Sequence, residues 1–286
     1  MLRQKRLVAG VRALTLGCFC TVMFVLVPHD GLWRSTVTAA GENSGNGAAP
    51  ERSEEPQPGA ALASAVQAQV FTVDTTIANG DTTYDGLDIV VRGCTVTVNG
   101  AHSFKSLTVE RNAGNQPGVV THTPEFFNGT IYGMKLSLEG DVAIQGSDGG
   151  LAASRISADG CGQAGGNGAG AGESCCNSGG AGGGGYGGSG GSGNTSHGGT
   201  SYGSPVAPSA LGSGGGTIEG NPPGGRGGGA VRLSVGGTLQ VDGQITANGS
   251  IGSRGGSGND NYSGGGSGGS IWVSARQLVG NGFQNS

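Results

Sequence analysis

Apolar residues in this chain fall on alternate positions in short runs. Val70-Phe71-Thr72-Val73, Asp88-Ile89-Val90-Val91 and Cys94-Thr95-Val96-Thr97-Val98 show it first. Ser106-Leu107-Thr108-Val109, Val119-Val120-Thr121 and Leu136-Ser137-Leu138 continue it. A period of two is the strand pattern, and Asn79-Gly80, Asn99-Gly100 and Asn128-Gly129 punctuate the runs as turns. Two longer stretches repeat one another. KLSLEGDVAI (Lys135 to Ile144) matches RLSVGGTLQV (Arg232 to Val241), and the ISADG beginning at Ile156 matches the ITANG beginning at Ile245. A partial third copy, SIWVSARQLVGNG, begins at Ser270. In these copies Val231, Leu233 and Val235 face one way and Arg232 and Ser234 the other, with Trp272 opposite Ile271 and Val273. Repetition on this scale predicts a chain built by stacking units. Val73, Val96, Val119 and Val142 recur every 23 residues, which predicts an inward ladder of valines, one per coil.

The pattern lapses over 146–229 and again over 250–269, where glycine dominates. In the first excursion Tyr186, Tyr202, Val206, Leu211 and Ile218 are almost the only large apolar side chains. Ordering a backbone residue costs about 1–2 kcal/mol, and glycine loses most. So little apolar area does not offset that cost. Either the segment is mobile, or backbone hydrogen bonds between closely packed, polyproline-II-like glycine segments order it; partial order, draped over the strand body, is the expectation. The expected fold is all-β: a β-solenoid, a right-handed parallel β-helix, with long Gly-rich loops. A β-sandwich is the alternative.

The amino terminus reads differently. Arg3, Lys5, Arg6 and Arg12 precede an apolar run from Ala13 to Val27, and Thr38-Ala39-Ala40 offers small residues for cleavage. Residues 1–40 therefore read as a signal peptide, with an uncleaved membrane anchor as the competing reading. Residues 41–68, rich in Gly, Pro, Glu and Ala, read as a disordered linker. The repeat domain then occupies 69–286.

The chain has 65 Gly in 286 residues and a net charge of −4. Without residues 1–40, 10 basic residues face 18 acidic ones, a net −8. That balance argues against nucleic acid as a partner, because phosphate binding needs clustered cations. Export implies an oxidising compartment, where disulfides are the default. Cys161 with Cys175 or Cys176 would staple the glycine loop, stabilising it by roughly 3 kcal/mol for a loop of about 15 residues.

At GDTTYDGLDIVVRGCTVTVNGAHSFKSLTV (Gly80 to Val109) and YGSPVAPSALGSGGG (Tyr202 to Gly216) the chain resembles glycine-rich secreted repeat proteins of environmental bacteria. Gly227 to Gly249 and Gly264 to Gly282 carry the same resemblance, which covers most of 70–286. It implies a β-helical surface or extracellular module, often one part of a longer chain. No activity or catalytic residue comes with it.

Few motifs carry chemistry. GGSGNDNYS (Gly255 to Ser263) fits a calcium-binding nonapeptide, with Asp260 as the carboxylate. Ca²⁺ needs 6–8 oxygens shared between tandem copies, and the next nine residues lack the acid. A plain loop is the simpler reading, with no cofactor. Asp88 and Arg111 are also 23 apart, so adjacent coils would juxtapose them, either as a surface ion pair or as part of a sugar site. The threonines from Thr72 to Thr108 would make a flat array, although threonine also simply favours exposed strand faces. The function expected is a secreted or cell-surface structural or adhesive module without catalysis. Its partners would be surface polysaccharide or cell-envelope components, with membrane contact only through an uncleaved N-terminal segment. A polysaccharide lyase, glycosidase or polysaccharide-binding module on the same scaffold is the alternative.

Overall fold

The computed structural model describes residues 22–24, 68–124, 133–175, 179–218, 223–254 and 262–281. Of residues 1–40 it describes the Val22–Phe24 backbone alone, and all but the last residue of 41–68 lie outside the described residues, as does Asp260.

The described chain is strands with almost no helix, and all its strand pairing is parallel. The strands are β1 (Val22–Phe24), β2 (Gln69–Phe71), β3 (Thr75–Ile77), β4 (Asp88–Arg92), β5 (Thr95–Val98), β6 (Gly100–Phe104) and β7 (Ser106–Glu110). There follow β8 (Val119–Thr121), β9 (Met134–Leu138), β10 (Val142–Ile144), β11 (Arg155–Ser157), β12 (Ala230–Val241), β13 (Gln244–Thr246) and β14 (Ser270–Val279).

Two sheets form. One runs β1-β14-β12-β10-β7-β4-β2, with β6 and β9 joining β12 as a branch; the other runs β13-β11-β8-β5-β3. The chain alternates between them, so each pass lies on the previous one. The larger sheet curls, because β12 serves two neighbours. Val231 to Val235 pair with β9, while Leu239 to Val241 pair with β10. Gly236 and Gly237 sit at this corner, where an added Cβ would overlap the Glu139 carbonyl oxygen or the Asp141 carboxylate. The first repeat turns the same corner at Glu139-Gly140, between β9 and β10.

The core is columns of aliphatic side chains, one from each strand. Ile89, Leu107, Val142, Leu239 and Leu278 form one column. Phe71, Val91, Val109, Ile144 and Val241 form the next. Leu136, Leu233 and Val273 line the branch wall, and Val96, Val120, Ile156 and Ile245 line the second sheet.

The 23-residue valine ladder is not formed. Val73 lies exposed between β2 and β3, Val96 faces the core of the smaller sheet, and Val142 belongs to the larger one. Val119 pairs with Thr95 and Arg155, not with Val96. The physical reason is that passes differ in length. Ile89 to Leu107 takes 18 residues and Leu107 to Val142 takes 35, because the connections between strands vary while the strand stacking does not.

The long glycine segment lies between β11 and β12 and is ordered by its backbone. Gly182, Gly183 and Gly184 donate their N–H groups to the carbonyls of Glu173, Gly191 and Gly265, which belong to three different segments. Neighbouring residues thus point in three directions, as a helix with three residues per turn requires. Gly216 donates to Gly182, Gly264 to Gly216, and Gly225 to Gly264, extending the lattice across the bundle. Tyr186 and Tyr202 meet edge to face at 4.9 Å and tie the bundle to the strands. The Tyr186 hydroxyl lies 2.7 Å from Ser270 Oγ at the start of β14, and Tyr202 donates to the Leu211 carbonyl.

His122 anchors the return from the bundle into β12. It is 1% exposed. Its Nδ1 lies 3.0 Å from the Thr123 carbonyl, so that nitrogen carries the proton; Nε2 accepts the Ala230 N–H at 3.2 Å. Desolvation holds its pKa below the usual histidine value, only partly opposed by the Thr123 hydrogen bond. Protonating Nε2 would set one N–H against another. A group whose folded pKa is depressed contributes stability above its unfolded pKa, about 6.5 for histidine, and loses it as pH falls through that value. The melting temperature is therefore expected to fall between about pH 7 and pH 5. His122→Gln, measured by circular dichroism, should flatten that slope; an unchanged slope would exclude His122 as its source. The carboxylate of Asp88, lowered by its bonds to Ser106 and Lys105, acts only at lower pH.

Candidate functional site

Four neighbouring strands present a continuous outer face. In β6, β9, β12 and β14 the residues between the core positions point outward, as the burial of Leu136, Leu233 and Val273 demands. The parallel register aligns them into two columns. The first reads Ala101, Lys135, Arg232, Trp272; the second reads Ser103, Ser137, Ser234, Ser274. Neighbouring members are one strand apart, about 4.8 Å.

Lys135 and Arg232 stand directly opposite one another. Like charges in that position repel, and no carboxylate among the described residues lies within ion-pair distance of either. The Arg232 guanidinium lies over the Trp272 ring, 4.1 Å from its centroid. A cation–π contact of this kind engages the face of the guanidinium and leaves its N–H edge for other partners. Two residues beyond Ser137 the exposed Glu139 bounds the face. Asp85 bounds it beside Ser103, accepting that residue's N–H at 3.2 Å. Arg276 is exposed farther along β14.

Several other charged groups in the strand body have local partners. Arg92 meets Glu110 at 2.6 Å, and Lys105 meets Asp88 at 3.1 Å. Asp88 also accepts from Ser106 Oγ at 2.7 Å, and these two hydrogen bonds lower its pKa. Arg111 packs against a different segment. It donates to the Ala152 and Gly146 carbonyls, and its own N–H goes to Gln145 Oε1 at 2.7 Å. Asp88 pairs in register with Ser106, at the opposite end of β7 from Arg111. The juxtaposition expected of Asp88 and Arg111 is therefore not made. It fails for the same reason as the valine ladder: the coil between them is not 23 residues long.

The cysteines also differ from expectation. No disulfide joins Cys161 to Cys175. Cys161 is a buried thiol that donates to the Asp159 carbonyl and lies 3.7 Å from Thr121 Oγ1, and burial pushes its pKa up. Cys175 Sγ lies 2.9 Å from Thr195 Oγ1. Cys176 lies outside the described residues. Among the described residues, backbone hydrogen bonds hold the bundle together.

A cleft of about 600 Å³ runs along the glycine bundle beside Tyr186, Ser189, Asn248 and Ser267. Its walls are mostly glycine backbone, and the Tyr186 hydroxyl is already engaged with Ser270. Among the described residues no three His, Cys, Asp or Glu side chains converge as metal ligands, and the calcium reading of Asp260 lies outside them. No helix among the described residues is long and apolar enough to cross a membrane.

The internal repeat already encodes this outer face, although it matches no catalytic motif. Aligning KLSL with RLSV and WVSA already sets Lys135, Arg232 and Trp272 at one position and three serines at another. No family model, curated protein or solved structure matches this chain.

Proposed function

We propose that this chain is a non-catalytic structural or adhesive module of the cell surface or extracellular space, folded as a right-handed parallel β-helix. The in-register stacking of two sheets supports the β-helix reading, since parallel crossovers are right-handed in about 98% of cases. The observation that carries the adhesive reading is the pair of columns on β6, β9, β12 and β14. A sheet face offering an aromatic ring, two cations and four serine hydroxyls has the chemistry of a polysaccharide contact. Backbone register fixes where each side chain is attached, so the backbone itself need not be ordered on binding. Against the lyase or glycosidase alternative, Asp88, Lys105, Arg92 and Glu110 are consumed in local pairs, and Arg111 is tied to carbonyls.

Incubation with bacterial cell-envelope polysaccharide tests both readings. The chain is expected to be retained on the insoluble material without releasing reducing ends or unsaturated sugars. Trp272→Ala should weaken retention by about tenfold, near 1.4 kcal/mol. Product release above a heat-inactivated control would favour the enzyme and overturn this proposal.

A further inference from the structure

We infer that the face of Lys135, Arg232 and Trp272 takes an acidic polysaccharide, one bearing carboxylates or sulfates, laid across the strands. This rests on the adhesive reading above and names its ligand class.

The inference starts from an unbalanced charge. The chain carries a net −4, yet here two cations are stacked at a single strand spacing of about 4.8 Å. Register fixes that spacing: Lys135 pairs with Arg232 across β9 and β12. Their repulsion is relieved by no acid among the described residues, whereas Lys105 and Arg92 each have one. An arrangement of two aligned cations is satisfied by a ligand with regularly spaced negative charges. The pitch across strands matches the length of one monosaccharide, so successive acidic sugars would meet Lys135 and Arg232 in turn.

The neighbouring groups complete the match. Trp272 stands next to Arg232 in the column and already supports its guanidinium at 4.1 Å. That leaves the guanidinium's donor edge for a carboxylate or sulfate, a geometry suited to bidentate bonding. The parallel column Ser103, Ser137, Ser234, Ser274 supplies hydroxyls one alternation away, where the sugar's own hydroxyls would lie. Glu139 lies two residues past Ser137 along β9 and disfavours an anion there, whereas Asp85 caps the β6 end of the serine column by accepting the Ser103 N–H. The cationic site is thus centred on Lys135, Arg232 and Trp272, away from both carboxylates.

Affinity electrophoresis of the full chain through gels containing polygalacturonate, dextran or duplex DNA tests this. Polygalacturonate is expected to retard the wild type, with retardation falling as salt rises. The double variant Lys135→Gln/Arg232→Gln should lose at least tenfold in affinity for polygalacturonate. Its interaction with dextran should not change, and its melting temperature should be equal or higher, because a repulsive pair has gone. Lys105→Gln, which removes a cation already paired with Asp88, should leave polygalacturonate binding within about twofold. Three results would overturn the inference: unchanged affinity in the double variant, dextran bound as tightly as polygalacturonate, or DNA bound more tightly than either. Failure of the wild type to bind any glycan would instead remove the adhesive reading on which the inference rests.

Discussion

Gly182→Ala is expected to unfold the glycine bundle under conditions where the wild type is intact. Gly182 donates to the Glu173 carbonyl at 2.9 Å and accepts from Gly216 at 2.8 Å, so it belongs to three segments at once. An added Cβ would overlap the His197 carbonyl oxygen and come within 3.1 Å of the Glu173 nitrogen. These obstacles are backbone, held by their own hydrogen bonds, and do not swing aside as a side-chain tip does. Overpacking a tight interior costs about 1–3 kcal/mol, and with no room for relaxation the upper end or more is expected. Gly188→Ala is the control, since nothing lies within 4 Å of its added Cβ. Both substitutions restrict the unfolded chain equally, a gain of about 0.4–1 kcal/mol, so the difference isolates the steric clash. Urea unfolding together with amide exchange across 180–216 reads it. Equal stability of the two variants would mean that the lattice is not close-packed.

Leu239→Ala should cost about 2–5 kcal/mol. Leu239 is fully buried (0% exposed) and stands between Val142 and Leu278 in one of the two columns of the larger sheet. Each column residue contacts the strand above and the strand below, so truncation opens a void that neither flanking strand can fill without breaking register. Ile251→Ala, at 89% exposure, supplies the comparison and should change stability by under about 0.5 kcal/mol. A similar loss at both positions would place the stabilising burial somewhere other than the columns. The two substitutions, Gly182→Ala and Leu239→Ala, probe different cohesive forces in one chain.

Much of this architecture was legible, and the clearest part was the internal repeat. KLSLEGDVAI and RLSVGGTLQV lie directly on one another, Lys135 over Arg232 and Val142 over Leu239. Ile156 likewise pairs with Ile245. Similar stretches stack because they meet the same neighbours above and below. The fixed spacing of 23 failed because register is a property of strands, whereas spacing along the chain also counts the loops. Asp88 and Arg111 were misplaced by the same error. The cysteines misled for another reason. An oxidising compartment would favour paired thiols, but Cys161 is a buried free thiol that donates to the Asp159 carbonyl and lies beside Thr121. Order in the glycine segment was foreseen only as a physical alternative, since no side-chain pattern encodes which glycine meets which. The outer columns were visible in the aligned repeats, yet they do not resemble any motif of catalysis or metal binding.

The two halves of the molecule should also answer cooling differently. Burial of aliphatic columns carries a large heat-capacity change, and the stabilisation it provides weakens toward low temperature. The threefold glycine lattice buries mainly peptide groups, whose exposure changes heat capacity in the opposite sense. In cold water the bundle between β11 and β12 would therefore keep its cohesion while the columns beneath it lose some of theirs. A chain organised in this way is suited to staying folded where a purely aliphatic core begins to fail.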